Sequence, residues 1–259
     1  MRKRALSIAS VVAVAGIAGF FLRRRFVETG FDGETGFPVP GIACGWLLAG
    51  LTVVTAVFLF SATIGKKLKE DPRGSAAGAS FVSFLCVFLS SILIVIGALL
   101  LPRHTLARFQ NFSKIETALV VTGIIAAVCQ TAAAVGRLAG KRSTVLRSLD
   151  LVPSLFAAFA LLICYLLYAS DPVILRFAWE ILALAAASYG LYAAAAPESA
   201  VCRWGLVRWA GLAVFLLMTA LGGRHSLGVI LGLGGLLLRL AAEFVSALFC
   251  QAGQHEKEN

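Results

Sequence analysis

The chain has 259 residues, of which 59% are hydrophobic and 14% charged, and its mean hydropathy is +0.90. An ordinary soluble domain is about 45–50% apolar and about 25% charged, so this composition excludes a water-soluble fold and indicates an integral membrane protein. The net charge of +10 comes from short Lys and Arg clusters between hydrophobic runs, a pattern that reflects membrane topology and argues against a nucleic-acid partner.

The apolar runs predict an all-α bundle of about eight transmembrane helices. A nearly charge-free run of about 18 residues can cross the hydrocarbon core, and lipid offers the backbone no partner outside a helix. The predicted helices are 5–22, 41–64, 79–101, 115–135, 151–169, 173–196, 207–221 and 227–250. Residues 207–221 are the shortest segment, so seven helices are the alternative. Short links predict one domain over residues 1–250, followed by a polar tail at 251–259.

The first predicted helix follows a basic start and resembles a signal peptide in its apolar run. That run continues directly into Arg23, Arg24 and Arg25, with no small-residue cleavage site before them. We therefore expect an uncleaved first helix and an arginine-rich first outer loop.

Two Asp and Pro combinations predict helix starts. Asp150 precedes Pro153 by three residues, and Asp171 directly precedes Pro172. A carboxylate can cap the free amides of a first turn, where proline is also tolerated. We therefore expect helices five and six to begin near these residues.

Basic residues predict the orientation of the eight helices. With the N-terminus inside, fourteen Lys and Arg residues lie on the inner side and seven on the outer, and Arg176 and Arg239 within the helices complete the total of 23. Because cytoplasmic loops carry an excess of Lys and Arg, this bias predicts that both termini are cytoplasmic.

Five polar residues fall within the apolar segments and are the candidate site residues. Arg176 and Glu180 are four apart in one predicted helix, as are Arg239 and Glu243 in another, so each pair shares a helix face. Buried charges require partners or water. The set predicts either a central site for an ion, a proton or a charged solute, or interhelical ion pairs, which its charge balance favours. Gln130 has the same two interpretations, with packing favoured.

The first outer loop contains two similar tetrapeptides that bring three carboxylates close together. These carboxylates belong to Glu28, Asp32 and Glu34. They are candidate ligands for a divalent cation such as calcium, although the spacing of an EF-hand is missing. A turn-rich loop packed on the helix ends is the favoured alternative.

The sequence contains none of the common catalytic or cofactor motifs. There is no GxxxxGK[ST], HExxH, GxSxG or CxxC pattern, the three histidines are far apart, and the six cysteines are single. We therefore predict no catalytic residue, no metal site and no cofactor. A membrane enzyme is the third functional hypothesis, because it would normally need a denser polar cluster.

Several short stretches resemble a group of uncharacterised polytopic membrane proteins from anaerobic Gram-positive bacteria. They are Thr35 to Gly41, Asp150 to Pro153, Asp171 to Leu175 with Glu180 to Ala183, and the turn near His225. The resemblance spans most of the chain. It implies a similar helical bundle of about eight helices and supplies no catalytic residues.

These observations lead to two functional hypotheses. The first is a permease-like or transport-associated subunit for a small solute or ion, in the bacterial cytoplasmic membrane. The second is a non-transporting sensor, scaffold or assembly factor, whose buried charges would be fully paired. Anionic lipid headgroups are the expected partners of the basic inner loops 66–73 and 137–147. An unidentified membrane protein is a further partner to consider.

Overall fold

The computed structural model describes residues 2–32, 37, 39, 43–63, 81–100, 113–140, 143–168, 177–196 and 203–254. Eight α-helices make up most of this part of the chain. Their bounds are Arg2–Thr29 (α1), Ala43–Thr63 (α2), Phe81–Leu100 (α3), Ser113–Leu138 (α4), Thr144–Tyr168 (α5), Ala178–Ala195 (α6), Arg203–Leu221 (α7) and Leu227–Gln254 (α8).

Each of these eight helices is long and apolar enough to cross a membrane. The prediction of an all-α, multi-pass membrane protein with eight helices is therefore confirmed. The segment predicted at 207–221 belongs to α7, which begins at Arg203 and so gains the length for a full span.

Six helices, α3 to α8, form a closed ring. Each packs on the next in chain order, and α8 closes the ring by packing on α3. α6 and α8 also touch directly beside α7. α1 and α2 lie outside the ring, where both pack on α7 and α1 also contacts α8.

Glycines bring the backbones of α3 and α8 into contact. A Cβ atom on Gly97 would lie 2.7 Å from the backbone nitrogen of Gly232 and 2.8 Å from the carbonyl oxygen of Gly228, too close for any side chain. Nearby, the Ser90 hydroxyl donates a hydrogen bond of 2.7 Å to the carbonyl of Gly235. Small residues four apart commonly allow such close packing in membranes. We call this contact the glycine seam.

The outer surface of the bundle is apolar, and several charges lie inside it. Large hydrophobic side chains such as Trp46, Val54 and Phe81 are exposed on α2 and α3. Arg23 and Arg239 are buried. This distribution is the reverse of a soluble protein and fits a protein surrounded by lipid.

Some predicted helix bounds are wrong. α1 does not stop at Leu22 but continues to Thr29, so the three arginines lie on a helix and not in a loop. α8 continues to Gln254, four residues into the predicted tail, while residues 255–259 lie outside the described residues. The predicted start of helix six, including Asp171 and Pro172, also lies outside them.

The predicted start of helix five is wrong as well. α5 begins at Thr144, so Asp150 lies in its second turn and Pro153 lies inside the helix. Proline removes one helical hydrogen bond, yet membrane helices tolerate it where neighbouring helices surround the backbone. Asp150 is buried and paired with arginines, so it does not act as a helix cap.

Candidate functional site: two buried charge clusters

The larger cluster joins three helices. Arg137 lies in the last turn of α4, Asp150 in the second turn of α5, and Arg239 and Glu243 one turn apart on α8. Their charges alternate in sign around a closed circuit of four ion pairs. The contacts are Arg137 Nη2 to Asp150 Oδ1 at 3.4 Å, Asp150 Oδ1 to Arg239 Nη2 at 3.2 Å, Arg239 Nη1 to Glu243 Oε1 at 2.9 Å, and Glu243 Oε1 to Arg137 Nη1 at 3.4 Å. We call it the four-charge cluster.

Exposure changes steadily across the four-charge cluster. The Arg137 side chain is 35% exposed, Glu243 13%, Asp150 10% and Arg239 3%. Arg137 also makes the longer contacts, at 3.4 Å to each carboxylate. It is therefore the member held least firmly and nearest to the surface, whereas Arg239 forms the enclosed end.

The cluster spans the interior of the ring. Among the described residues, α8 does not pack closely on α4 or α5, which stand apart from it in the ring. Arg239 and Glu243 nevertheless reach Asp150 and Arg137 through their side chains. The charged groups therefore fill space between helices whose backbones are separated.

The four formal charges sum to zero. A single charge near the centre of a bilayer costs at least about 2.5–3.5 kcal/mol on insertion scales, and here each charge has two neighbours of opposite sign. The interhelical ion pair that the sequence analysis favoured is present for Arg239, which is buried and contacts Asp150 on α5.

A second cluster surrounds Glu180. Nη2 of Arg23, on α1, donates to both carboxylate oxygens of Glu180, at 2.9 and 3.1 Å. Glu180 lies in the first turn of α6, where the helix dipole also favours a negative charge. The guanidinium carbon of Arg23 lies 5.2 Å from the centre of the Trp179 ring, a cation–π distance. We call this group, together with His225, the Glu180 cluster.

The turn between α7 and α8 packs against the Glu180 cluster. Nε2 of His225 lies 2.8 Å from the Ala220 carbonyl, which can only accept, so this nitrogen carries a hydrogen. The same nitrogen lies 3.3 Å from Glu180 Oε1. A Cβ on Gly223 would lie 2.9 Å from that oxygen, so a side chain there would have to displace the Glu180 carboxylate.

Glu180 and Arg239 belong to different clusters. Glu180 pairs with Arg23, and Arg239 pairs with Asp150 and Glu243. Both predicted charges are buried and paired, as expected. Glu243 was predicted to share a helix face with Arg239, but the partners on other helices, Arg23 and Asp150, are residues that the sequence analysis had placed in a loop and at a helix start.

Gln130 joins α4 to α3. Its side-chain nitrogen donates to the Ser91 hydroxyl at 2.7 Å, and Thr131 contacts the same hydroxyl at 2.8 Å. This interhelical contact agrees with the packing role favoured by the sequence. Gln130 contacts neither charge cluster through any of these bonds.

Of the remaining candidate residues, the structure describes only Glu28 and Asp32. Arg176 and Glu34 lie outside the described residues. Glu28 is on α1 and forms an exposed pair with Arg24 at 3.4 Å, while Asp32 is exposed just beyond that helix. In the described part of the chain, no three His, Cys, Asp or Glu side chains are placed to hold a metal ion.

Sequence reasoning missed Arg23, Arg137, Asp150 and His225 as members of the clusters. One signal was available for Arg23, because the apolar residues Phe26 and Val27 follow it at helical spacing and indicate a longer α1. Asp150 had a similar signal, since Val145, Leu146 and Leu149 precede it. The identity of the ion-pair partners depends on helix packing and had no local signal.

The multi-pass helical bundle and its two buried charge clusters are thus what defines this protein structurally. No family model, curated protein or solved structure matches the chain.

Proposed function

We propose that this protein is a permease-like or transport-associated membrane subunit for a small solute or ion. One observation carries the proposal: the four-charge cluster spans the interior of a closed helix ring, between α8 and the neighbouring pair α4 and α5, on which α8 does not pack closely. Ionisable residues inside a membrane bundle commonly mark pathways for ions and solutes.

The position of the charges favours this function over a purely structural role. An ion pair that only fixes packing needs two helices in contact, with the charges at their interface. The contact between Arg137 and Asp150 does join two packed helices, α4 and α5. The other two interhelical contacts, Arg239 to Asp150 and Glu243 to Arg137, instead join α8 to helices on which it does not pack closely. The exposed fraction of the side chains in the four-charge cluster also falls from Arg137 to Arg239. The cluster therefore extends from the surface into the enclosed interior.

We further propose that the protein lies in the cytoplasmic membrane of a bacterium with both ends in the cytoplasm. The excess of basic residues on that side supports this orientation. The resemblance to polytopic proteins of anaerobic Gram-positive bacteria agrees with it. The four-charge cluster would then lie in the cytoplasmic half and the Glu180 cluster in the outer half.

Anionic headgroups would bind the basic inner loops, each nearby cation contributing about 1 kcal/mol.

Reconstitution into liposomes tests the transport function. Internal dyes would report the movement of protons, alkali cations and small organic ions in response to imposed gradients. We expect at least one of these to cross faster than in protein-free liposomes. Asp150→Asn or Arg239→Gln should change the rate at least about tenfold, because the energy of a buried charge exceeds the 1.36 kcal/mol that a factor of ten requires.

The matched control is Val57→Ala, which alters an exposed apolar side chain on α2 and should leave the rate unchanged. Size-exclusion profiles of each variant would show whether the bundle is intact. If no probe crosses faster through wild-type proteoliposomes than through empty ones, the proposed function is wrong.

A second candidate is a non-transporting sensor, scaffold or assembly factor. The observation that favours it is the pairing of the charges, since Glu180 and all four members of the four-charge cluster have partners of opposite sign. It predicts that Asp150→Asn lowers stability without affecting any flux, which the same liposomes would show.

A further inference from the structure

The guanidinium of Arg137 lies between two carboxylates. Its Nη1 faces Glu243 Oε1 and its Nη2 faces Asp150 Oδ1, each at 3.4 Å. The two carboxylates come from different helices, α8 and α5, so the gap that Arg137 fills is built by the fold and not by neighbouring residues in the chain. The Arg137 side chain therefore fills a gap between two carboxylates that a separate cation would otherwise fill.

Arg137 is the member of the cluster that can leave most easily. Its side chain is 35% exposed and its contacts are the longest of the four. Arg239, by contrast, is 3% exposed and contacts the same two carboxylates at 3.2 and 2.9 Å. If Arg137 swings away, the two carboxylates stay in place.

The charge count then determines what can replace it. Without Arg137, the cluster carries two negative charges and one positive charge, a net charge of −1. One monovalent cation restores neutrality, whereas a divalent cation or an anion leaves a net charge buried in the membrane.

The geometry also selects the shape of the replacement. Arg137 uses two nitrogens of one planar group to reach two separate carboxylates, whereas an ammonium ion would have to reach both from a single nitrogen. A second observation concerns Arg239, the most enclosed member of the cluster.

Nε of Arg239 is buried and has no hydrogen-bond partner among the described residues. This donor offers a place for a water or a ligand hydroxyl beside the cation.

We propose that Asp150 and Glu243, backed by Arg239, form a binding site for a small planar nitrogen cation of the guanidinium or amidinium class, and that Arg137 occupies this site when the cation is absent. This inference names a ligand class for the proposed transport protein. Only the role of the site in transport rests on the proposed function. The binding itself can be measured without any transport assay.

The test is rescue of Arg137→Ala by guanidinium. Because a ligand that binds the folded state stabilises it, millimolar guanidinium chloride should raise the melting temperature of this variant in detergent by about 3 °C. Tetramethylammonium chloride at the same concentration should not, since it has one charge but no N–H donor. Arg137→Gln serves as a second variant.

The matched control is Arg24→Ala, which removes an arginine from an exposed pair with Glu28 and should show no response. The double variant Arg137→Ala with Asp150→Asn should lose the response. The proposal is overturned if guanidinium and tetramethylammonium act equally on Arg137→Ala, or if the control responds as strongly. It is also overturned if neither Arg137 variant folds even with guanidinium present, because Arg137 would then be irreplaceable.

The outcomes separate this inference from the proposed function. Rescue without any flux in liposomes would establish the cation site and refute transport. Flux without rescue would support transport and refute the assigned ligand class.

Discussion

Arginine is the residue type that forms the interhelical ion pairs of the two charge clusters. Arg23 joins α1 to α6, and Arg239 joins α8 to α5. The side chain is long, permanently charged and able to donate to two acceptors at once, so it can cross a gap between backbones where a shorter residue cannot. Each buried carboxylate in the two clusters has at least one arginine beside it.

A double-mutant cycle on Arg23 and Glu180 tests the smaller cluster. Removing one member of a buried pair typically costs about 3–5 kcal/mol, because the other charge stays buried without compensation. Arg23→Met and Glu180→Gln should therefore each lower thermal stability in detergent. The double variant should be more stable than the sum of the two losses predicts.

The control for that cycle pairs Glu180→Gln with Arg239→Gln. These residues belong to different clusters and share no ion-pair partner, so their effects on the free energy of unfolding should add within about 0.3–0.5 kcal/mol. Strong coupling between Glu180 and Arg239 would contradict the described separation of the clusters.

At the level of the helices, the sequence predicts the bounds of a helix correctly where they depend only on the length of its apolar run. The bounds of α2 and α3 lie within two residues of the prediction, because each apolar run ends close to the end of its helix. α1 and α5 were mispredicted at Arg23 and Asp150. A charge ends an apolar run in the sequence, yet it need not end the helix when a residue on another helix neutralises it.

The candidate site was only partly predictable for the same reason. Arg239 and Glu243 share a helix, so their spacing of four predicted a common face correctly. Their partners Arg137 and Asp150 come from other helices, and which helices meet is decided by packing. The ring in which α8 returns to α3 has no counterpart in any local pattern.

Alanine substitutions along the glycine seam test how α3 and α8 are held together. Gly97→Ala should destabilise the bundle by about 1–3 kcal/mol, since the added methyl group meets the backbone of α8. Gly232→Ala should be tolerated, because a Cβ there meets nothing within 4 Å. Melting temperatures in detergent would measure both.

The two substitutions add the same methyl group to the same pair of helices, so each is a control for the other. Equal losses of stability would show that α3 and α8 lie further apart or in another register. A gain in stability from Gly97→Ala would have the same meaning.

For the whole molecule, eight crossings have a consequence for topology. We expect both ends to lie on the same side of the membrane, with residues 139–143 on that side and the α7–α8 turn at 222–226 on the other. Cysteines introduced at these places into a cysteine-free variant would be labelled with an impermeant thiol reagent from one side at a time. Labelling of residue 140 and residue 224 from the same side would contradict the arrangement.

The glycine seam also sets an order of events during synthesis. α3 enters the membrane early, but the surface of Gly97 and Ser90 receives its partner only when α8, the last of the described helices, has been made. Until then α3 carries a polar hydroxyl and a bare stretch of backbone toward lipid or toward the insertion machinery. A chain that stops before Leu227 leaves the ring open, and α3, α4 and α5 then lack the helix that supplies Arg239. We therefore expect the first seven helices alone to be recognised as incomplete and degraded, however well each one inserts.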